Sequence, residues 1–303
     1  MQILTILSPL FLTIALGAWL QRSGFFGEDF LAGANKLSYW VGLPILVVIS
    51  LITAEHGEGG GGRLLVALVI GTFVSVGLAW SAARLLRVKS GSEGTWVQAA
   101  FRGNLTFIGL PIILTMPNIP RTAAILTMAP LLIVFNTISV CLLVASRHRS
   151  TGSVWPMVTR EIFRNPVILA SVLGGAVYAA GGSLWLPLER TLIQISRMAL
   201  PLALLCIGGA LVTTPFRGNR RIAIAAAVFK TLLSPLIGYG VARAMRLDPG
   251  ETRVVLLLMA CPTAAISYTM VRQLGGDEAV AASSIVFSTL FSAIALPAII
   301  AFV

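Results

Sequence analysis

The sequence predicts an all-α membrane protein in which ten transmembrane helices form two inverted five-helix repeats, with helices 4 and 9 broken and crossing. Three observations support this fold class. Only 11% of the 303 residues are charged and 57% are hydrophobic, with a mean hydropathy of +0.92, whereas roughly 25% of the residues of a soluble domain are charged. Apolar stretches of about 20 residues, the length that crosses a bilayer, follow one another along the chain. The first half also aligns with the second half at one nearly constant offset.

The apolar stretches divide the chain into ten predicted spans. The first span lacks the basic flank and the small-residue cleavage site of a signal peptide, so we expect it to remain as a helix. The predicted spans are 4–20, 30–53, 64–86, 95–116, 122–146, 166–180, 187–212, 221–245, 252–273 and 278–302.

The basic residues set the predicted orientation. Of the 22 lysines and arginines, 12 lie at the odd-numbered loops between spans and 6 at the even-numbered loops. Cytoplasmic loops are enriched in basic residues, so we predict cytoplasmic odd loops and both termini outside, in a bacterial inner (plasma) membrane. The net charge of +11 then reflects topology, with membrane lipids rather than nucleic acid beside the basic loops.

The repeat follows from an offset of 157 residues, which superposes Pro9 on Pro166 and Thr95 on Thr252; the fifth pair of spans aligns at 152. Chance similarity between apolar helices is the alternative explanation. Because each repeat holds an odd number of spans, the second copy enters the membrane from the opposite side, as in many secondary transporters. The predicted domains are a first repeat at 1–146, a cytoplasmic linker at 147–165 and a second repeat at 166–303.

Spans 4 and 9 hold helix-breaking residues in equivalent positions. Span 4 reads RGNLTFIGLP over 102–111, and span 9 reads CPTAAISY over 261–268. Unwound backbone is tolerated in a membrane only where it lines a cavity or is buried in protein, and paired interruptions mark the binding sites of transporters. The N-termini of the half-helices carry positive partial charge that favours an anion. Simple proline kinks are the alternative.

Four basic residues fall inside predicted spans, whereas no aspartate or glutamate lies deeper than a helix end. A charge inside the membrane costs at least about 2.5 kcal/mol on insertion scales, so it needs a partner or a wet cavity. Arg102, two residues before Asn104, and Lys230, ten residues into span 8, are candidate partners for a bound anion. Contact with lipid headgroups or backbone carbonyls is the alternative for each of them.

The same composition disfavours several classes of protein. Proton antiport and aspartyl proteolysis both need intramembrane acids. The two histidines fall in loops, and Cys141, Cys206 and Cys261 lack metal-ligand spacing. We therefore predict no enzymatic activity, no metal and no cofactor.

Over its whole length, the chain resembles the auxin efflux carrier family, which includes plant PIN-type carriers and bacterial permeases for malate and malonate. The resemblance rests on the ten spans, on NxxxxGLP in span 4 and PTAxxSY in span 9, and on GGDE at 275–278 and LP at 296–297. The long central hydrophilic loop of the plant members is absent.

The resemblance implies an architecture similar to that of sodium/proton antiporters and bile-acid symporters. It implies a scaffold of spans 1, 2, 6 and 7, through which homodimers form, and a transport unit of spans 3 to 5 and 8 to 10. Asn104 and Pro262 match the crossover positions where the family binds a substrate carboxylate.

We thus expect a secondary transporter of small organic anions, mono- or dicarboxylates such as malate, malonate or an auxin-like acid, working by elevator-type alternating access. A sodium-coupled symporter and a non-transporting membrane sensor with the same fold stay open as alternatives. The predicted substrate-binding residues are Asn104, Thr106, Pro111, Pro262, Thr263, Ser267, Arg102 and Lys230.

Overall fold

The computed structural model describes residues 2–53, 61–146, 159, 163–182, 184–213 and 220–302, which are almost entirely helical. Most of the predicted linker at 147–165 lies outside these ranges. The helices are α1 (Gln2–Arg22), α2 (Glu28–Leu37), α3 (Leu43–Ile52), α4 (Gly62–Leu85), α5 (Glu93–Phe101), α6 (Leu110–Thr115), α7 (Arg121–Ala145), α8 (Pro166–Ala179), α9 (Leu186–Thr213), α10 (Arg220–Val228), α11 (Ser234–Ala244), α12 (Pro249–Ala260), α13 (Ile266–Leu274) and α14 (Glu278–Phe302).

Several of these helices are suited to a bilayer. Within the described ranges, six helical stretches are long and apolar enough to cross a membrane, and Leu105–Thr115 and Pro166–Ala179 are shorter apolar helices. The six are Asp29–Ile52, Gly62–Leu85, Arg121–Ala145, Leu186–Thr213, Arg220–Ala244 and Glu278–Ile299. The all-α class is confirmed, while the count of ten membrane crossings stays a prediction.

In the part of the chain that the structure describes, three π turns interrupt the longer helices, each just before a proline. The turns Ser38–Gly42, Leu105–Gly109 and Phe229–Leu233 precede Pro44, Pro111 and Pro235, each of which lies in the first two positions of the next helix. Proline lacks an amide donor and its ring clashes with the preceding turn, and a wider π turn accommodates both effects. Pro111 therefore begins a helix and does not break span 4.

The helix contacts fall into two groups. The first helix set contains α1, α2, α3, α8 and α9, and the second helix set contains α4 to α7 and α10 to α14. The two sets meet where α7 contacts α3 and α8, where α1 contacts α14, and where α9 contacts the π turn Leu105–Gly109.

Within the first helix set, α1 and α9 approach each other at glycines. A Cβ on Gly17 would collide with the carbonyl oxygen of Leu205, and one on Gly208 would collide with that of Ile14. Small residues allow such backbone contact between membrane helices. The α1–α9 pair is thus closely packed.

Candidate functional site: the crossing of two broken helices

The second helix set contains two interrupted helices that cross. The helix α5 ends at Phe101 and the chain becomes helical again at Leu105, while α12 ends at Ala260 and α13 begins at Ile266. The unwound segment after α5 therefore consists of residues 102–104, and it ends seven residues before Pro111.

The two unwound segments run antiparallel and satisfy each other's backbone groups. Gly103 and Thr263 form an isolated antiparallel bridge. The N–H of Asn104 donates to the carbonyl of Pro262 at 2.7 Å. The N–H of Ala264 donates to the carbonyl of Arg102 at 3.0 Å. Because unpaired backbone groups are costly away from water, these bonds let two extended segments lie inside a membrane protein. A Cβ on Gly103 would lie 3.2 Å from the Leu258 carbonyl oxygen, so the close approach favours glycine.

Asn104 caps the helical stretch that follows the break. Its side-chain oxygen accepts from the N–H of Phe107 at 3.2 Å, and its carbonyl accepts from the N–H groups of Ile108 and Gly109. Asparagine is among the residues preferred at a helix N-cap. Asn104 therefore holds the N-terminus of this half-helix at the crossing.

Thr263 is bonded to two other helices. Its hydroxyl donates to the carbonyl of Ala99 in α5 at 2.7 Å, and its backbone N–H donates to the hydroxyl oxygen of Ser288 in α14 at 3.0 Å. These bonds connect the second unwound segment to both neighbours and fix its position.

Arg102 is buried, with 2% of its surface exposed. One terminal nitrogen donates to the Ser139 hydroxyl at 2.9 Å and to the sulfur of Met270 at 2.8 Å. The other donates to the side-chain oxygen of Asn136 at 2.5 Å. The guanidinium thus ties the break to α7 and α13.

Lys230 lies on the opposite flank of the crossing and is 1% exposed. Its ammonium donates to the carbonyl of Met259 at 2.5 Å, near the C-terminus of α12. A Cβ on Gly103 would lie 3.5 Å from the Lys230 Cε atom, so the side chain reaches the unwound segment. A cation at a helix C-terminus is stabilised by the helix dipole.

Two cavities adjoin the crossing. A small one, of about 30 Å³, is lined by Tyr39, Arg102, Gly103, Asn104, Leu105, Thr106, Phe107, Leu132, Asn165, Ala264 and Ile266. A larger one, of about 370 Å³, is lined by Leu31, Ala32, Asn35, Phe107, Cys206, Ile207, Ala210, Thr213 and Ala265. The larger cavity lies between α2 and α9 of the first helix set and the crossing in the second, and Phe107 belongs to both linings.

The predicted site residues differ in their relation to these cavities. Arg102, Asn104 and Thr106 line the small cavity. Pro262, Thr263 and Lys230 form the bonds that support the crossing. Ser267 and Pro111 are buried and belong to neither described lining; the Ser267 hydroxyl has no hydrogen-bond partner among the described residues.

Sequence reasoning missed Tyr39, Phe107 and Asn165 as cavity residues. Asn165 carried a usable signal, because an asparagine directly before a proline is typical of a helix start, and its side-chain oxygen does accept from two amides of α8. Tyr39 carried no such signal, because its approach to Phe107 depends on tertiary packing.

Comparison with known proteins agrees with the membrane character of the fold. Residues 134–300 match the family model described as "Membrane transport protein". The chain is also 26% identical over 302 residues to an "Uncharacterized transporter" of Methanothermobacter thermautotrophicus, covering 97% of this chain and 95% of that protein. The family model covers more than half of the chain and corresponds to the auxin efflux carriers that the sequence resembles. The chain therefore belongs to this family of membrane transport proteins.

Proposed function

We propose that the protein is a secondary transporter that binds the carboxylate of a small organic anion at the crossing of the broken helices. The observation that carries this proposal is the small cavity beside the break, where the polar side chains of Arg102, Asn104 and Thr106 meet the N-terminus of a half-helix. Helix N-termini and a guanidinium both favour a carboxylate. Lys230 adds positive potential on the other flank, and Thr263 with Pro262 keeps the two segments aligned.

Inverted repeats are part of this proposal, and paired helix contacts support them. If the halves 1–146 and 166–303 are exchanged, the α1–α9 contact becomes the α8–α3 contact, and the α4–α5 contact becomes the α11–α12 contact; all four occur. Ser38 donates to the Ala199 carbonyl at 2.9 Å, and Gly42, which aligns with Ala199 at the offset of 157, packs against that alanine. Contact between equivalent residues is expected near a pseudo-two-fold axis.

Elevator-type alternating access fits the two helix sets. We assign the first set as the scaffold, through which a homodimer would form, and the second as the moving unit that carries the crossing. The larger cavity lies between them, near residues 31–35 and 206–213. Both stretches lie toward the side that is predicted to be cytoplasmic, if the protein lies in an inner membrane with both termini outside. The larger cavity on that side corresponds to an inward-facing state.

The test is counterflow of labelled carboxylates into liposomes that contain the purified protein, with protein-free liposomes as the control for leakage. We expect exchange by the wild type, and at least a tenfold lower rate for Asn104→Asp. The aspartate keeps a side-chain acceptor for the Phe107 amide, so the cap survives, but it places a negative charge in the small cavity. Asn104→Ala should also lower the apparent melting temperature, since loss of an N-cap costs about 1 kcal/mol.

Normal exchange by Asn104→Asp would contradict the site. Saturable binding without exchange by the wild type would instead indicate a membrane sensor, and a requirement for sodium would indicate a symporter.

A further inference from the structure

The GGDE stretch at 275–278 connects α13 to α14, and its two glycines fix the shape of the connection. Gly275 ends α13 in the left-handed region, with a φ of 68°, which glycine adopts without steric cost. A Cβ on Gly276 would lie 2.6 Å from the Thr95 hydroxyl oxygen, so this close approach to α5 favours glycine. The connection therefore lies directly against the start of α5.

The two acids of the stretch bond to different broken helices. Asp277 accepts from the Ser92 hydroxyl at 2.7 Å, and its N–H donates to the Thr95 hydroxyl oxygen at 3.1 Å. Both partners lie at the N-terminus of α5. Glu278 accepts from the hydroxyl of Tyr268, in the first turn of α13, at 2.8 Å. We call these five residues the acidic clasp, because its two acids connect the start of α14 to both broken helices.

The acidic clasp is not repeated at the equivalent positions of the first half of the chain. At the offset of 157, Asp277 aligns with Pro120, and Thr95 aligns with Thr252. Proline has no amide donor, so Pro120 cannot donate to Thr252 as Asp277 donates to Thr95. Pro120 instead packs against the start of α12, where a Cβ on Gly250 would lie 3.1 Å from the proline Cδ atom. The bond from a loop amide to a threonine hydroxyl thus belongs to one of the two equivalent ends.

We propose that Asp277 and Glu278 are positioning residues, which hold α5 and α13 at the separation that aligns the two unwound segments. Neither acid belongs to the lining of the two cavities beside the crossing, so both act through the helices that they bond. The inference rests on the proposed function in one respect, namely that the substrate binds at the crossing.

The crossing depends on this alignment because its bonds join the ends of both helices. The N–H of Asn104 reaches the carbonyl of Pro262, and the N–H of Ala264 reaches that of Arg102. When the acidic clasp opens, α5 and α13 can shift, and fewer molecules keep these backbone bonds at any moment. The apparent affinity for substrate falls in proportion to the competent fraction.

The first test measures the crossing without any substrate, by amide hydrogen exchange of the purified protein. Thr95→Val keeps the shape of the side chain and removes the acceptor for the Asp277 amide. We expect the amides of Asn104 and Ala264 to exchange at least tenfold faster in this variant, because local opening sets their exchange rate. Thr95→Ser, which keeps the hydroxyl, should exchange at nearly the wild-type rate.

The matched control is Thr252→Val, the same substitution at the aligned position. Thr252 is buried, as Thr95 is, but it faces a loop whose proline cannot donate. This variant should leave the exchange of the Asn104 and Ala264 amides within twofold of the wild type. Equal exchange of these amides in Thr95→Val and in the wild type would overturn the inference.

The second test addresses the other arm of the acidic clasp by counterflow of a labelled carboxylate. Tyr268→Phe removes the hydroxyl that donates to Glu278, whereas Glu278→Gln keeps an acceptor for it. Tyr268→Phe should raise the apparent KM at least fivefold and change the maximal rate per folded molecule less than twofold. Glu278→Gln should show a smaller rise in KM. A lower melting temperature of Tyr268→Phe with an unchanged KM would show a purely structural role and would overturn the inference.

These outcomes separate the inference from the proposed function. If the wild type exchanges no carboxylate, the proposed function fails, while the hydrogen exchange of Asn104 and Ala264 still decides whether the acidic clasp aligns the crossing. If the wild type exchanges carboxylates and both Thr95→Val and Tyr268→Phe behave like it, the acidic clasp alone is rejected.

Discussion

The side chain of Lys230 places an ammonium group in the interior of the protein, and 1% of the residue's surface is exposed. Replacing the buried ammonium by the apolar side chain of methionine removes a desolvated charge, but it also removes the donor to the Met259 carbonyl, and a buried acceptor left unsatisfied costs about 1–3 kcal/mol. We therefore expect Lys230→Met to change the apparent melting temperature by only a few degrees, because the two effects oppose each other. Counterflow should fall at least tenfold, because the positive potential beside Gly103 is lost.

The control for this prediction is Lys89→Met, since Lys89 is exposed. That substitution should change neither the melting temperature nor the rate of exchange. A large drop in the stability of Lys230→Met, with exchange per folded molecule unchanged, would show that Lys230 is only structural.

Arg102 shows why single residues were harder to predict than the region that contains them. The sequence places Arg102 two positions before Asn104, and the structure does put it on the lining of the small cavity. Its bonds to Asn136, Ser139 and Met270 connect the break to two other helices, α7 and α13. No local pattern encodes such partners, because they follow from how α7 and α13 pack against the break.

At the scale of elements, the close contact of α1 with α9 depends on Gly208. An added Cβ would collide with the Ile14 carbonyl oxygen, and overpacking of this kind costs roughly 1–3 kcal/mol. We expect Gly208→Ala to lower the apparent melting temperature in detergent by several degrees, measured from tryptophan fluorescence. Gly77→Ala in α4 is the matched control, because no atom lies within 4 Å of its added Cβ, and alanine is the better helix former. Equal stability of the two variants would contradict the close α1–α9 packing.

The helices themselves were largely predictable, while the details of their breaks were not. The predicted span 64–86 compares with Gly62–Leu85 and the span 122–146 with Arg121–Ala145, because long apolar stretches between polar loops define these helices. In span 4, Pro111 suggested where the helix unwinds. The structure instead has the π turn Leu105–Gly109 before Pro111 and extended backbone further upstream, where pairing with the other broken segment compensates for the lost helical bonds.

At the scale of the whole molecule, the larger cavity lies at the boundary between the two helix sets. The α7–α8 contact at this boundary has its counterpart in the α14–α1 contact, as expected if the moving unit is held by the scaffold at two related places. The lining of the cavity could not be predicted, because α2 and α9 are far apart in sequence and meet the crossing only in the folded chain.

Movement between the helix sets can be tested by cross-linking. Ala210 in α9 and Ala265 at the crossing line the same cavity, so a bifunctional thiol reagent should join cysteines at these positions in a variant without Cys141, Cys206 and Cys261. With a bis-methanethiosulfonate as the reagent, which couples to each cysteine through a disulfide, we expect loss of counterflow that reduction restores, because the cross-link fixes the second helix set against the first.

The matched control for this prediction lies inside the second helix set. Arg63 and Met245 are in contact there, with an arginine nitrogen 2.6 Å from the Met245 carbonyl oxygen. Cysteines at these two positions join α4 to the end of α11, and both elements belong to the unit that is proposed to move. Cross-linking this pair should leave counterflow intact, because α4 and α11 move together. If the Ala210–Ala265 pair were fully cross-linked and exchange continued at the uncross-linked rate, transport would not require the two helix sets to move relative to each other.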